Sequence, residues 1–141
     1  MRRAAALGLL GAAVAGCRAE PEPRAGLPAA CGPSVPEAPR PLPPSFPRPA
    51  GRVLAEAPQR SGRMVQVSGF VTGTPTQAID SLSADPGATI LLREDEGADA
   101  ELTTSDGRAR TAWKFVVACP AGSRFTAVQA PEIQRQPAAA R

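Results

Sequence analysis

The sequence contains no histidine and no tyrosine, and its aromatic residues are one tryptophan and four phenylalanines. Without histidine, the chain cannot build a Ser-His-Asp or Cys-His nucleophile system, and it has neither an imidazole base nor a histidine metal ligand. Three cysteines, one of them predicted below to be acylated, are too few for a zinc or iron–sulfur site. We therefore expect no catalytic residue, no metal and no cofactor. An enzyme would have to use carboxylates alone.

Lysine is also nearly absent, since the chain has one lysine, Lys114, against fifteen arginines. No basic block or aromatic-interleaved basic patch is present, so we expect no nucleic-acid partner. The formal charge of +3 falls to +1 once Arg2 and Arg3 are removed with the signal described next. The abundance of arginine, alanine, proline and glycine is typical of a GC-rich bacterial genome.

The N-terminus reads as an export signal. Met1-Arg2-Arg3 is positively charged, and the apolar run from Ala4 to Ala15 is too short to span a bilayer. Val14-Ala15-Gly16-Cys17 resembles a bacterial lipobox, which predicts a signal peptide over 1–16 and acylation of Cys17. Two or three acyl chains would hold the protein at the membrane effectively permanently. The alternative is a plain secretory signal, and Sec or twin-arginine export are both open.

Proline dominates the next segment, because residues 18–49 hold eleven of the seventeen prolines. Such a segment favours extended polyproline II, at about 3.1 Å per residue, which would reach about 100 Å from the membrane. We interpret residues 17–50 as a tether that holds an extracytoplasmic domain away from the lipid. Use of the proline-rich run as a peptide ligand is the alternative.

Cys31 and Cys119 are the candidate disulfide pair. With Cys17 acylated, these two thiols remain in a compartment where disulfides persist. The bond would close a loop of roughly ninety residues, worth roughly 4 kcal/mol in the chain-entropy model. Two unpaired thiols are the alternative.

Residues 51–130 have the patterning of a small α+β domain, followed by a disordered tail over 131–141. We predict a mainly antiparallel sheet in the order β-β-α-β-β-β-β, with one short helix packed on it. The strands are expected at 51–56, 64–71, 89–95, 99–105, 108–119 and 124–128. Thr74, Pro75 and Gln77 have the pattern of helix cap, first residue and capping-box partner, and Asp85-Pro86-Gly87 ends the helix. Gly69 indicates a bulge or a close backbone approach.

Strand alternation also predicts the core and the register. On 108–119 one face is expected to carry Ala109, Thr111, Trp113, Phe115, Val117 and Cys119. A two-residue loop at Asp106-Gly107 would pair Leu102 with Thr111 and Asp99 with Lys114. In the preceding hairpin, an odd-length loop would pair Leu92 with Leu102 and Arg93 with Glu101. Trp113 and Phe115 are expected in the core, a ligand pocket being the alternative.

One dense acidic cluster comprises Glu94, Asp95, Glu96, Asp99 and Glu101. A calcium site or a carboxylate pair for hydrolysis is conceivable. The spacing does not fit an EF-hand loop, and the register places Arg93 and Lys114 beside the acids. We therefore interpret the cluster as a solvated hairpin tip.

Several segments carry a resemblance to a known group: Pro43 to Leu54, Ala100-Glu101, Gly107 to Lys114 and Cys119-Pro120. Over residues 43–128 the chain resembles small envelope lipoproteins of GC-rich, actinobacterial-type bacteria, although its helix is shorter than in that group. The resemblance implies an envelope lipoprotein and implies no catalytic residue.

The function that these observations favour is binding rather than catalysis. We expect a membrane-anchored adaptor domain that presents its sheet to an envelope protein. The alternative is a carrier of a small apolar ligand or lipid, which would use the space between the helix and the sheet. In both cases the anchor is the lipid on Cys17.

Overall fold

The computed structural model describes residues 22–133, so the predicted signal peptide and Cys17 lie outside the described residues. The described chain forms seven strands and one α-helix, which is the mainly antiparallel α+β architecture expected. The elements are β1 (Val53–Ala55), β2 (Gln59–Ser61), β3 (Met64–Thr72), α1 (Pro75–Ser83), β4 (Thr89–Asp95), β5 (Asp99–Ser105), β6 (Ala109–Cys119) and β7 (Gly122–Pro131). A short 3₁₀ helix, Ala29–Ser34, precedes them.

All seven strands belong to one antiparallel sheet. The order is β1-β3-β7-β6-β5-β4, and β2 pairs with the same edge of β3 as β1. The strand β2 was not predicted, because its Gln-Arg-Ser sequence is fully exposed and has no apolar alternation. We call the side covered by α1 the inner face, and the opposite side the outer face.

The helix α1 forms as its local sequence predicts. Thr74 accepts a hydrogen bond from the Gln77 backbone N–H, and the Gln77 side chain accepts one from the Thr74 N–H, completing a capping box. The stripe of Ala78, Ile79 and Leu82 is buried on the inner face. There it meets Trp113, Phe115 and Phe125, whose rings pack together, so the expectation that Trp113 and Phe115 are core residues is confirmed.

The proline-rich segment is part of the folded unit from Leu27 onward, so the domain begins earlier than residue 51. We call residues 27–50 the strap. Leu42 and Phe46 are buried in the main core, and Arg40 forms a backbone bridge with Ala55 beyond the free side of β1. Proline prevents regular secondary structure here, but it does not prevent apolar side chains from packing on the sheet. Only the first part of the segment predicted as a tether remains available as a spacer.

The strap crosses from the outer face to the inner face around the β1 edge. On the outer face, a second cluster joins Cys31 and Val35 of the strap to Phe70 and Cys119 of the sheet. Cys31 and Cys119 form a disulfide in the structure, as the sequence predicts. On the inner side, the Gln129 side-chain amide donates to the Ser45 carbonyl oxygen, at 2.8 Å. The strap is therefore fixed at both ends.

The face expected for Cys119 is wrong. A bulge between Val117 and Cys119 interrupts the alternation of β6, so Cys119 joins the outer cluster with Phe70 instead of the Trp113 face. Val117, expected in the core, pairs regularly with Ser123 but is 49% exposed, so that expectation is also wrong.

The β5–β6 register is shifted by two residues from the expected one. Leu102 lies opposite Trp113, and Glu101 lies opposite Lys114. The two-residue loop consists of Gly107 and Arg108, with Gly107 at φ +83° in the first central position, because the Asp106 carboxylate accepts hydrogen bonds from the Arg108 and Ala109 N–H groups. A shift of two keeps every side chain on its expected face.

The odd loop proposed between β4 and β5 is also wrong at the hairpin tip. Arg93 lies opposite Leu102, and Glu94 opposite Glu101. Farther from the tip, a bulge at Leu91 changes the register, so that Ile90 lies opposite Thr104. The register that the odd loop would give is found only at the start of β4, for Thr89 and Ile90. The bulge separates these residues from the hairpin tip, where the register is shifted by one residue.

The C-terminal strand is longer than predicted. β7 continues to Pro131, and the Glu132 carboxylate binds Arg110 at 2.8 Å and Ser105 Oγ at 2.9 Å. These contacts hold the start of the segment that was expected to be a disordered tail. Residues 134–141 lie outside the described part of the chain.

Candidate binding surface on the outer face

The outer face of the sheet carries a groove beside the strap. Its volume is about 450 Å³. It is lined by Ser34, Glu56, Ser68, Gly69, Lys114, Val116, Val117, Ala118, Arg124, Phe125 and Thr126. We call this the outer groove. Four elements build it: the strap, the centre of β3, the first half of β7 and the second half of β6.

The second half of β6 contributes apolar side chains to the outer groove, beside its polar and charged residues. Up to Phe115 the strand alternates strictly between buried and exposed residues. Val116 and Val117 are then both exposed, at 43% and 49%. The pairing stays regular through Val117, which lies opposite Ser123, so the two valines point to opposite faces of the sheet, and Val116, opposite Arg124, is the one on the outer face.

The strap provides one wall of the groove. Ser34 lies at the end of the 3₁₀ helix that contains Cys31. The disulfide to Cys119 and the contact of Val35 with Phe70 hold this helix against the sheet. The groove therefore depends on the packing of the proline-rich segment.

The rim of the groove is charged. Lys114 Nζ lies 2.7 Å from Glu101 and 4.0 Å from Asp99, and the hydrogen bond to Glu101, followed by the charge of that carboxylate, raises the pKa of Lys114. Arg124 and Glu56 are exposed and form no ion pair with another described residue. A ligand could therefore pair with either charge without breaking an existing contact.

Four acids of the cluster line one small pocket together with Lys114, namely Glu94, Glu96, Asp99 and Glu101, and Asp95 lies apart from them. Glu101 and Asp99 contact Lys114, whereas Asp95 accepts hydrogen bonds from Thr76 Oγ1 and the Gly97 N–H, both at 3.0 Å. Arg93 does not neutralise the cluster as predicted, because its guanidinium pairs with Asp80 of α1. Across the described residues 22–133, no three cysteine or acidic side chains are arranged to hold a metal ion.

Sequence reasoning missed the groove residues Val117, Arg124 and Glu56. For Val117 the available signal is the run Val116-Val117-Ala118 at the end of an otherwise alternating strand, whereas no local pattern marks Arg124 or Glu56. Three consecutive apolar residues break the period of two, and a bulge is the usual reason. The predicted lipidation site, Cys17, lies outside the described residues.

Comparison with family models, curated proteins and solved structures gives no match. In the described part of the chain, no helix is both long and apolar enough to cross a bilayer. The function is therefore argued from the geometry and the sequence.

Proposed function

We propose that this protein is an envelope lipoprotein, anchored through Cys17, whose domain binds an extended segment of another envelope protein in the outer groove. The role is binding rather than catalysis. The observation that carries the proposal is the exposed Val116 side chain in an outer-face groove whose rim carries the charged residues Lys114, Arg124 and Glu56.

The two faces of the sheet differ in how far they are covered, and this difference supports a binding role. The inner face is covered by α1 and by Leu42 and Phe46 of the strap, which together form the main core. The outer face is covered only in part, at the cluster around Phe70 and the disulfide. A binding surface of this kind combines an apolar floor, which supplies affinity, with polar groups that fix orientation.

The alternative of an apolar-ligand carrier receives less support. Such a carrier would hold its ligand between α1 and the sheet, but Ile79 and Leu82 of the helix pack directly into the cluster containing Trp113 and Phe115. These four side chains are each at most 2% exposed, so they fill the layer. A ligand could enter it only by displacing core residues.

The lipid anchor is supported by the lipobox pattern of Val14 to Cys17. The Cys31–Cys119 disulfide is compatible with an extracytoplasmic compartment. Replacing Cys17 by alanine should release the protein from the membrane fraction and abolish labelling by a clickable fatty acid. A Cys17→Ala protein that remains acylated and membrane-bound would show that the lipobox interpretation is wrong.

The groove is tested by photo-crosslinking in native membranes. A photoreactive residue at Val116 should give one discrete adduct, whereas the same residue at the exposed position Ala84, on the helix side, should give none. The purified partner should then bind the protein at least tenfold more weakly when Val116→Asp is introduced, because a charge is desolvated on the groove floor.

Two results would count against the groove. Equal adducts from both positions would indicate non-specific capture. Saturable binding of a fluorescent fatty acid that is blocked by Ile79→Trp but not by Val116→Asp would favour the carrier instead, since that ligand would lie beneath α1.

A further inference from the structure

The charges of the described chain are segregated across the sheet. Residues 22–63 contain six arginines and three glutamates, a net charge of +3. Residues 64–133 contain five basic and nine acidic residues, a net charge of −4. An even mixture would leave both parts near neutrality, so the fold has a basic part and an acidic part.

The two parts lie at opposite edges of the sheet. β1 and β2 form one edge, and β4, with Glu94 and Asp95, forms the other. Five strand spacings separate the edges, about 24 Å. This separation exceeds the Debye length of about 8 Å at physiological ionic strength, so each edge acts largely independently on a nearby charged surface.

We define the basic edge as Arg24, Arg40, Arg52, Arg60 and Arg63. Arg52 lies at the start of β1 and donates to the Ala25 carbonyl oxygen at 3.0 Å, which places the Arg24 segment beside it. Arg40 bridges to β1, Arg60 is in β2, and Arg63 is in the turn that leads to β3.

All five of these arginines are exposed, and none forms an ion pair with another described residue. Three of the five basic residues after position 63 (Arg93, Arg110 and Lys114) are paired with carboxylates. The basic edge therefore groups five cationic side chains that are available to an external anion, whereas Arg108 and Arg124 are single unpaired arginines elsewhere on the described surface.

The position of the predicted lipid anchor indicates which anionic surface the basic edge meets. Ala25, fixed by Arg52, is eight residues after Cys17, and eight residues span at most about 28 Å. A lipid on Cys17 therefore keeps Ala25, and with it the Arg24–Arg52 end of the basic edge, within about 28 Å of the membrane, instead of the 100 Å that a free tether would allow. This step depends on the anchor stated under Proposed function.

We propose that the basic edge docks on the anionic lipid headgroups of the membrane to which Cys17 is attached. Each arginine near an anionic surface strengthens binding about fivefold. The acidic β4 edge is repelled and faces away from the membrane. The sheet then stands on its β1–β2 edge, and the outer groove opens sideways to a partner.

The test uses the mature chain from residue 17 with Cys17→Ser, so that no acyl chain contributes. We expect it to sediment with vesicles containing phosphatidylglycerol at low salt, and to remain unbound to phosphatidylcholine vesicles. Arg40→Glu and Arg60→Glu should each weaken binding at least tenfold. Arg108→Glu, an equal change in charge at an exposed and unpaired arginine outside the basic edge, should weaken it less than twofold.

Several outcomes would overturn the proposal. Equal losses from Arg60→Glu and Arg108→Glu would show that net charge alone governs binding. Equal binding to both kinds of vesicle, or to neither, would exclude headgroup recognition, and binding to soluble polyglutamate alone would assign the edge to an acidic protein segment. Because the tested chain carries no lipid, these results are independent of the Cys17→Ala experiment.

Discussion

The Phe46 ring, from the strap, meets the indole of Trp113 edge-on, with 6.2 Å between ring centroids and planes 85° apart. Trp113 is at the centre of the inner face, where it also stacks with Phe115 at 5.4 Å. Edge-to-face aromatic contacts are favourable beyond the area that they bury. A residue from a proline-rich segment thus completes the main core.

Phe46→Ala should therefore destabilise the domain by about 3–5 kcal/mol, as expected for the loss of a buried phenylalanine. Ile133→Ala is the control, because Ile133 is 88% exposed and should change stability by less than about 0.5 kcal/mol. Urea unfolding followed by tryptophan fluorescence measures both. A loss below 1 kcal/mol for Phe46→Ala would mean that the strap does not contribute to the core.

Gly69→Ala should also be strongly destabilising. A Cβ at position 69 would lie inside van der Waals distance of the Leu54 carbonyl oxygen and the Ala55 Cα, which are backbone atoms that cannot rotate away. The expected cost is about 1–3 kcal/mol or more, through separation of β1 from β3. The short distances to the β1 backbone confirm the close-approach interpretation of Gly69, and β1 and β3 pair without a bulge at this position.

The control for Gly69 is Gly87→Ala. The nearest atom to a Cβ at position 87 is a side-chain oxygen of Asp85 at 3.4 Å, so the change should be nearly neutral. Equal thermal denaturation midpoints for the two variants would contradict the β1–β3 geometry.

The Cys31–Cys119 disulfide should raise stability by roughly 4 kcal/mol at most, because it closes 88 residues of sequence separation. Mass spectrometry without reductant should find the linked peptide. Cys31→Ser, Cys119→Ser and the double variant should lower the melting temperature by similar amounts, since each removes the same bond. Complete alkylation of both thiols in unreduced, denatured protein would refute the pairing.

The Asp106 turn should make stability depend on pH. Hydrogen bonds from the Ala109 and Arg108 N–H groups lower the pKa of Asp106. A carboxylate with a lowered pKa in the folded state adds stability above its unfolded pKa, near 3.9, and loses it as the pH falls through the folded value. Asp106→Ala should cost about 1 kcal/mol at pH 7, and the difference from the wild type should shrink below about pH 4.

Asp106→Asn separates the hydrogen bonds from the charge. The amide oxygen can accept the same bonds, so most of the stability at pH 7 should remain while the acid-dependent component disappears. Urea unfolding at pH 7 and at pH 3 measures the effect. A constant difference between wild type and Asp106→Ala across this range would contradict the role of the carboxylate.

The sequence was sufficient to predict those features that arise from contacts between residues close together in the chain. The capping box of Thr74 and Gln77 forms within one helical turn, so α1 could be placed from the chain alone. Strand alternation identified Trp113 and Phe115 as core residues, because burial on one face requires a period of two. The Cys31–Cys119 pair followed from there being two cysteines besides Cys17.

Register and the role of the strap required the folded chain. The bulge at Leu91 altered the β4–β5 pairing that the strand patterns had suggested, and the bulge before Cys119 moved that side chain to the outer face. The conformation of the strap could not be predicted from a helix or strand periodicity, because proline removes backbone donors and fixes φ. Phe46 and Leu42 become core residues only because the long-range packing of α1 and the sheet creates an apolar surface for them, and no feature of residues 27–50 by themselves encodes that surface.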